Sequence, residues 1–193
     1  MAKLDLSPEG LLTAYANGVF PMDYNGEIVW FAPDPRAIIE LDAFHIPATL
    51  RRTYAQQRFQ VHINREFEAV VRACADRPDG TWISQEISAA YVRLYALGFA
   101  YSVEAWRDDR LVGGLYGVSI GGAFFGESMF HQERDASKIA LVYLVERLRQ
   151  RGFALLDIQF MTAHLERFGA VEIPRRIYLR RLHQATKLPC RFI

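Results

Sequence analysis

Apolar residues recur at two different periods along this chain, and the changes between them mark its elements. Ser7 followed by Pro8 opens a helix with Leu11, Leu12 and Tyr15 on its apolar face, and Gly18 stops it. Gly18-Val19-Phe20-Pro21 then turns into a short strand over residues 27–31. The segment Pro33-Asp34-Pro35-Arg36 interrupts it, because proline offers no ladder donor, and extended structure resumes over residues 37–41. Helical spacing returns near residues 48–57 and 66–75, and again over 84–97, where Gly98 ends it.

From residue 99 the period shortens to that of strands. Residues 99–107 and 111–118 flank Asp108-Asp109-Arg110 as a hairpin, and 123–130 returns after the Gly121-Gly122 turn. Asp135 or Ser137 is placed to cap a long helix with Leu141, Leu144, Val145 and Leu148 on one side, ended by Gly152. Residues 153–160 read as a buried strand, and 163–168 as a short helix capped by Thr162 and closed by Gly169. The order from residue 66 is two helices, three strands, a helix, a strand and a helix. It matches the acyltransferase architecture called GNAT. The expectation is therefore an α/β (α+β) mixed-sheet fold: a GNAT-like domain over 63–193 behind a smaller α/β domain over 1–62.

A fold of this kind invites an acetyl-CoA enzyme, but function has to be argued from the site. Acetyl-CoA enzymes open the long helix with a glycine-rich loop whose N–H groups cradle the diphosphate. Here that stretch is His131-Gln132-Glu133-Arg134-Asp135-Ala136-Ser137-Lys138, without glycine and with two carboxylates. What is left is an acyl-transfer fold whose donor is recognised by other means.

Composition excludes several classes. The 193 residues are 51% apolar and 23% charged, enough for a real core. No apolar run approaches the ~18 residues of a membrane span, and Met1-Ala2-Lys3-Leu4-Asp5 lacks the pattern of a signal peptide, so the cytoplasm is the expected compartment. Cys74 and Cys190 stand apart, which suggests neither a disulfide framework nor a zinc site. The net charge of +1 conceals a polarity: residues 1–48 sum to −5, and the last 47 residues, with nine arginines and one lysine, sum to +7. Such an end fits either a solvated helical face or phosphate contacts.

Seven segments, in order and spread over almost the whole chain, carry a more specific likeness. They are Ala14-Tyr15 with Gly18-Val19-Phe20-Pro21, Trp30-Phe31-Ala32-Pro33-Asp34-Pro35-Arg36, Gly80-Thr81-Trp82-Ile83, Gly113-Gly114-Leu115-Tyr116-Gly117-Val118, Gly126-Glu127-Ser128-Met129-Phe130, Asp157-Ile158-Gln159 and Ile173-Pro174-Arg175-Arg176. In these the chain resembles the leucyl/phenylalanyl-tRNA-protein transferases. The resemblance implies transfer of Leu, Phe or Met from an aminoacyl-tRNA to an N-terminal Arg or Lys of an acceptor protein, which marks that protein for N-end-rule degradation. Where some members have two tryptophans before the Pro-Asp-Pro-Arg segment, this chain has Trp30-Phe31, and the expectation is that it lacks the N-terminal extension of some members.

Joining an activated ester to an amine needs no metal, ATP or other cofactor, only alignment, proton removal and oxyanion stabilisation. Asp157 and Gln159 are two polar groups on one face of an apolar strand, and burial of an unpaired carboxylate is costly. A structural Asp bonded to a neighbouring turn is the alternative. The resemblance makes them the catalytic pair, Asp157 orienting the Gln159 amide so that its oxygen accepts from the attacking amine. Because an amide is a poor base, positioning is the favoured role. Glu127, a charge inside an aromatic strand, is either a strand-edge carboxylate or, by the resemblance, a substrate-binding residue for a cationic N-terminus.

Trp82, after a polar loop, is a stacking platform for the terminal adenosine, with Trp30 or Phe31 as its partner; a place in the core is the alternative. By position against the family, Leu115, Met129, Leu141, Leu144, Leu148 and Leu156 line an apolar pocket for the donor side chain, although each also suits plain core packing. Arg175 and Arg176 are candidate tRNA phosphate contacts. His164 competes as a general base, with a helix-surface or capping role favoured. Two other readings stay open: an acetyl-CoA-dependent N-acetyltransferase and a non-catalytic RNA-binding module.

Overall fold

The computed structural model describes residues 5–78 and 80–193. Residues 1–4, on which the absence of a signal-peptide pattern largely rests, and Asp79 lie outside the described residues. Helix α1 (Pro8–Ala16) begins as expected, with the Ser7 hydroxyl accepting from Gly10 N–H at 3.1 Å. Its stop at Gly18 is sterically obligatory: φ is +72°, and a Cβ there would lie 2.8 Å from Tyr178 Cε1. Strands β1 (Phe20–Tyr24) and β2 (Glu27–Phe31) form a separate two-stranded hairpin, closed by Asn25-Gly26 with both residues at positive φ.

The other strands form one seven-stranded mixed sheet. Along the chain come β3 (Arg36–Ile39), α2 (Ala48–Ala55), β4 (Gln60–Ile63), α3 (Phe67–Ala75) and α4 (Gln85–Ala96). There follow β5 (Ala100–Arg107), β6 (Arg110–Ile120), β7 (Ala123–His131), α5 (Ala136–Gln150), β8 (Leu155–Gln159), α6 (Ala163–Glu166), β9 (Ala170–Ile173) and α7 (Arg175–Ala185). The order across the sheet is β4-β5-β6-β7-β8-β3-β9, antiparallel except for the β7–β8 pair. Four antiparallel strands, a long helix and a return strand parallel to β7 make the arrangement GNAT-like. Strand β3 is buried along its whole length between β8 and β9, so residues on both sides of the 62/63 boundary build the same sheet.

Two apolar layers sandwich the sheet. One holds α1, α3, α4 and α7, through residues such as Leu11, Val70, Tyr91 and Tyr178; the other holds α5, packed through Leu141, Leu144 and Leu148 with Phe124 and Phe192. Four of these elements have no counterpart in the expectation, namely β1, β4, β9 and α7. The cap of α5 also differs. Asp135 occupies the N-cap position at φ 72°, but its carboxylate binds Lys138 Nζ at 2.8 Å rather than a helix N–H, and Ser137 lies inside the helix.

Candidate functional site

The parallel pairing of β7 with β8 runs through Ala123↔Leu155 and Phe124↔Leu156 and ends at Phe125↔Asp157. Beyond that point the strands fork, and each is bulged. On β7, Gly126 pairs with Gly117 and Ser128 with Tyr116, so Glu127 is skipped. Gly117 permits this, since a Cβ there would meet the Phe125 carbonyl oxygen at 2.2 Å. On β8, Asp157 pairs with Ile38 and Gln159 with Ala37, which skips Ile158 and leaves Gln159 at φ +63°. Bulges re-aim side chains, and a non-glycine residue held at positive φ is strained. Here the two bulges turn Glu127 and Gln159 toward each other, and Gln159 Nε2 donates to Glu127 Oε1 at 3.0 Å.

The fork opens a cavity of about 890 Å³. Of the residues singled out from sequence, Trp82, Leu115, Glu127, Met129, Leu141, Leu144, Leu156 and Gln159 line it. Leu115, Met129, Leu141, Leu144 and Leu156, joined by Ile158, belong to the apolar layer of α5 and make one lobe. Leu148 is not on the wall; it is wholly buried in the core of that layer. Trp30 and Phe31 are not on it either. They pair with Pro21 and Phe20 across the hairpin, and the β1 groups that reach the cavity are Phe20 and Met22. Arg175 and Arg176 begin α7, outside the cavity, Arg176 exposed and Arg175 half-buried.

Asp157 lies behind the fork, fully buried. Arg36 grips it in bidentate fashion, Nε to Oδ1 at 2.9 Å and Nη2 to Oδ2 at 2.7 Å. Tyr178 donates to Oδ2 at 2.6 Å and the backbone N–H of Gln159 to Oδ1 at 2.9 Å. Arg36 is itself held between the rings of Phe20 and Tyr178, 4.8 and 4.7 Å from the guanidinium carbon, and donates to the Gly18 carbonyl. Asp157 therefore fixes the main chain of Gln159, whereas the Gln159 side-chain amide is oriented by Glu127. With its NH₂ directed at Glu127, the opposite edge of that planar amide presents the oxygen.

Glu127 has different surroundings. Its Oε2 accepts from Tyr91 at 2.8 Å, and Tyr91 meets the hydroxyl of Tyr15 at 2.6 Å. Burial pushes the carboxyl pKa up to about 7, Tyr15 and Tyr91 act against that, and the Asp157 charge adds to it. Arg36, Tyr178, Tyr15, Tyr91 and Met22 were not singled out for chemistry by the sequence reading. Arg36 gave one signal, a charge at the head of an apolar strand. His164 lines the cavity with its ring edge-on to Phe168, and burial, then nearby cations, hold it below its usual pKa. Its Nε2 has no partner among the described residues, and the cap of α6 is Thr162, which accepts from Leu165 N–H.

The stretch between β7 and α5, where an acetyl-CoA enzyme would hold the diphosphate, carries two carboxylates. The carboxylate of Asp135 stands at the start of α5, and that of Glu133 is paired with Arg107 at 2.9 Å. Among the described residues no cluster of His, Cys, Asp and Glu is disposed to hold a metal, and no helix is long and apolar enough to cross a membrane.

The family model described as leucyl/phenylalanyl-tRNA protein transferase matches residues 38–183, and the model of that family's N-terminal domain matches residues 4–34. The chain is 58% identical over 189 residues to the leucyl/phenylalanyl-tRNA–protein transferase of Gloeobacter violaceus, covering 97% of each chain. The enzyme of the same name from Herpetosiphon aurantiacus is 53% identical, over 97% of this chain and 98% of that one. Among solved structures, L-PGS from Bacillus licheniformis is similar with a TM-score of 0.47 and 15% identity, over 79% of this chain and 65% of that chain. On the two family models and these identities, the chain belongs to the leucyl/phenylalanyl-tRNA protein transferase family.

Proposed function

We propose that this chain transfers leucine, phenylalanine or methionine from the 3′ end of an aminoacyl-tRNA to the N-terminal Arg or Lys of acceptor proteins, in the cytoplasm, and so marks them for degradation. Aminoacyl transfer from tRNA to protein follows the names of its relatives. The observation that carries the site assignment is the Gln159–Glu127 hydrogen bond at the lip of an apolar cavity, a polar pair beside a pocket suited to an uncharged side chain.

In this reading the donor side chain enters the lobe of Leu115, Met129, Leu141, Leu144 and Leu156, and its adenosine stacks on Trp82, which shares both pockets with Met22. The acceptor ammonium approaches Glu127 and gives it one proton, which a carboxyl with a pKa of about 7 is suited to take. The resulting amine is held by the Gln159 oxygen and attacks the ester carbon. As the carbon–oxygen bond to the ribose breaks, the second proton leaving nitrogen passes to that ribose oxygen, directly or through water. Arg36, Asp157 and Tyr178 hold the strand end against the approaching substrate. The small N-terminal part contributes the β1 wall, and Arg175 and Arg176, cations at the start of α7, are assigned to phosphates farther along the tRNA on their charge. Incubation with labelled leucyl-tRNA and an Arg-initiated peptide tests the whole: label should move to the peptide. Label retained on bound tRNA would make the protein a binding module, and activity with acetyl-CoA alone would overturn the donor.

A further inference from the structure

A second, open pocket of about 470 Å³ adjoins the cavity and shares Met22, Arg77 and Trp82 with it. Its other walls include Asp23 and Tyr24 at the hairpin tip. The two sides are tied by the Asp23 N–H, which donates to the Trp82 carbonyl at 3.1 Å. Resting on the donor reading above, we infer that this pocket binds the penultimate nucleotide of the tRNA, a cytidine, and that Arg77 contacts the phosphate joining it to the terminal adenosine.

Three features converge on that ligand. Arg77 sits at the junction of the two pockets and is held there by acceptors, with Nε donating to the Cys74 carbonyl at 3.1 Å and Nη2 to Ser128 Oγ at 2.8 Å and the Met129 carbonyl at 3.3 Å. A guanidinium so fixed suits a phosphate and repels the cationic side chain of an acceptor. Tyr24 is 65% exposed at the outer wall, a free ring face of the kind on which an unpaired base stacks. Asp23 binds the Gly26 N–H through Oδ1 at 2.8 Å, and its Oδ2 has no partner among the described residues. A carboxylate oxygen accepts from the N4 amino group of cytosine and repels the O4 of uracil.

The probes are an amide-linked leucyl-adenosine, which cannot react, and the same compound extended by a 5′-cytidylyl or a 5′-uridylyl group. In the wild type the cytidylyl extension should tighten binding on the order of tenfold. Tyr24→Ala should lower affinity for the extended compound to that for leucyl-adenosine. The uridylyl compound should bind more weakly than the cytidylyl one, and Asp23→Asn, which can donate to O4, should erase or reverse that order. Equal affinity for leucyl-adenosine and its cytidylyl extension in the wild type would overturn the inference. So would a Tyr24→Ala variant that raises the acceptor peptide's KM and leaves dinucleotide binding alone, since the pocket would then belong to the acceptor. Failure to bind leucyl-adenosine at all would instead sink the donor reading beneath it.

Discussion

The anchor behind the strand fork and the lip in front of it each bury a carboxylate, and they do so by opposite means. Asp157 has a cation in bidentate contact and two further donors. Glu127, two strand positions past the last paired residue of β7, has neutral donors only, Tyr91 and the Gln159 amide. A carboxylate neutralised by a buried arginine is a fixed charge that holds backbone in place. A carboxylate buried with neutral partners changes its protonation near neutral pH, and a group that must receive a proton needs that freedom. On the proposed mechanism the motif residue Asp157 belongs to the scaffold, and the titrating role falls to Glu127.

The largest expected effect lies at the anchor. Arg36→Met leaves Asp157 buried without its cation, and breaking a buried pair on one side costs roughly 3–5 kcal/mol. Urea denaturation should show a loss of that order, and a loss below about 1 kcal/mol would mean that Asp157 is not held as described. Asp157→Asn should destabilise as well, because Arg36 is then left uncompensated. Single-turnover transfer should fall with it, and the double variant with Gln159→Ala should be little slower than either single, as both act on one strand end.

At the lip the sign reverses. The Glu127 carboxyl, raised to about 7 by burial against roughly 4.5 in the unfolded chain, binds more protons when folded. Its stabilising contribution is complete below pH ~4.5 and is lost as pH rises through about 7, a change on the order of 3 kcal/mol for a shift of this size. Glu127→Gln cannot titrate, so relative to wild type the variant should gain stability between pH 5 and pH 8. Wild-type transfer should climb with pH through a midpoint near 7, and the variant should be slow with that limb absent. Parallel stability curves for the two proteins would remove the assignment.

A smaller effect is expected at Trp82. Its ring is half-buried on the cavity wall, so Trp82→Ala should weaken leucyl-adenosine binding by ~1–3 kcal/mol, the worth of a stacked base. If instead the thermal midpoint drops while affinity holds, the ring is a core residue.

Much of this was legible in the sequence wherever the information is local. Ser7-Pro8 and Thr162 mark helix starts because a cap is read within three residues, and both hydroxyls make their bonds. The short edge strands β4 and β9 were missed, each four residues long with too little alternation to show a period. Helix α7 was not delimited because its arginines left the basic end as either a solvated helical face or phosphate contacts, although Tyr178, Leu182 and Ala185 face the core. Long-range partners are invisible to local reading: Arg36 meets Asp157 across 121 positions, and only the fold joins them. The expectation that Asp157 and Gln159 share one face followed from strict alternation along β8, which the bulge at Ile158 interrupts, whereas the orienting role of Asp157 was implied by the resemblance alone. Trp30 and Phe31 were chosen as neighbours of Trp82 on residue type, but the hairpin register puts Phe20 and Met22 at the cavity instead.

The smallest effect should come from the apolar lobe, and it separates the two regions most cleanly. Met129 lines the cavity, packed with the α5 layer, and its unbranched thioether adjusts to branched or aromatic guests. Met129→Leu keeps the volume but stiffens the wall, a change that costs less than ~1.5 kcal/mol in stability. Competition between leucyl- and phenylalanyl-tRNA for transfer should then shift toward leucine by a few-fold, within the ~1–3 kcal/mol that an apolar pocket can discriminate. Because the substituted side chain carries no charge and does not touch the Glu127–Gln159 bond, the pH midpoint near 7 should stay where it is. An unchanged donor ratio would take Met129 out of the pocket. A displaced pH midpoint would show that the apolar lobe and the titrating lip are one coupled unit, not two separable halves of the cavity.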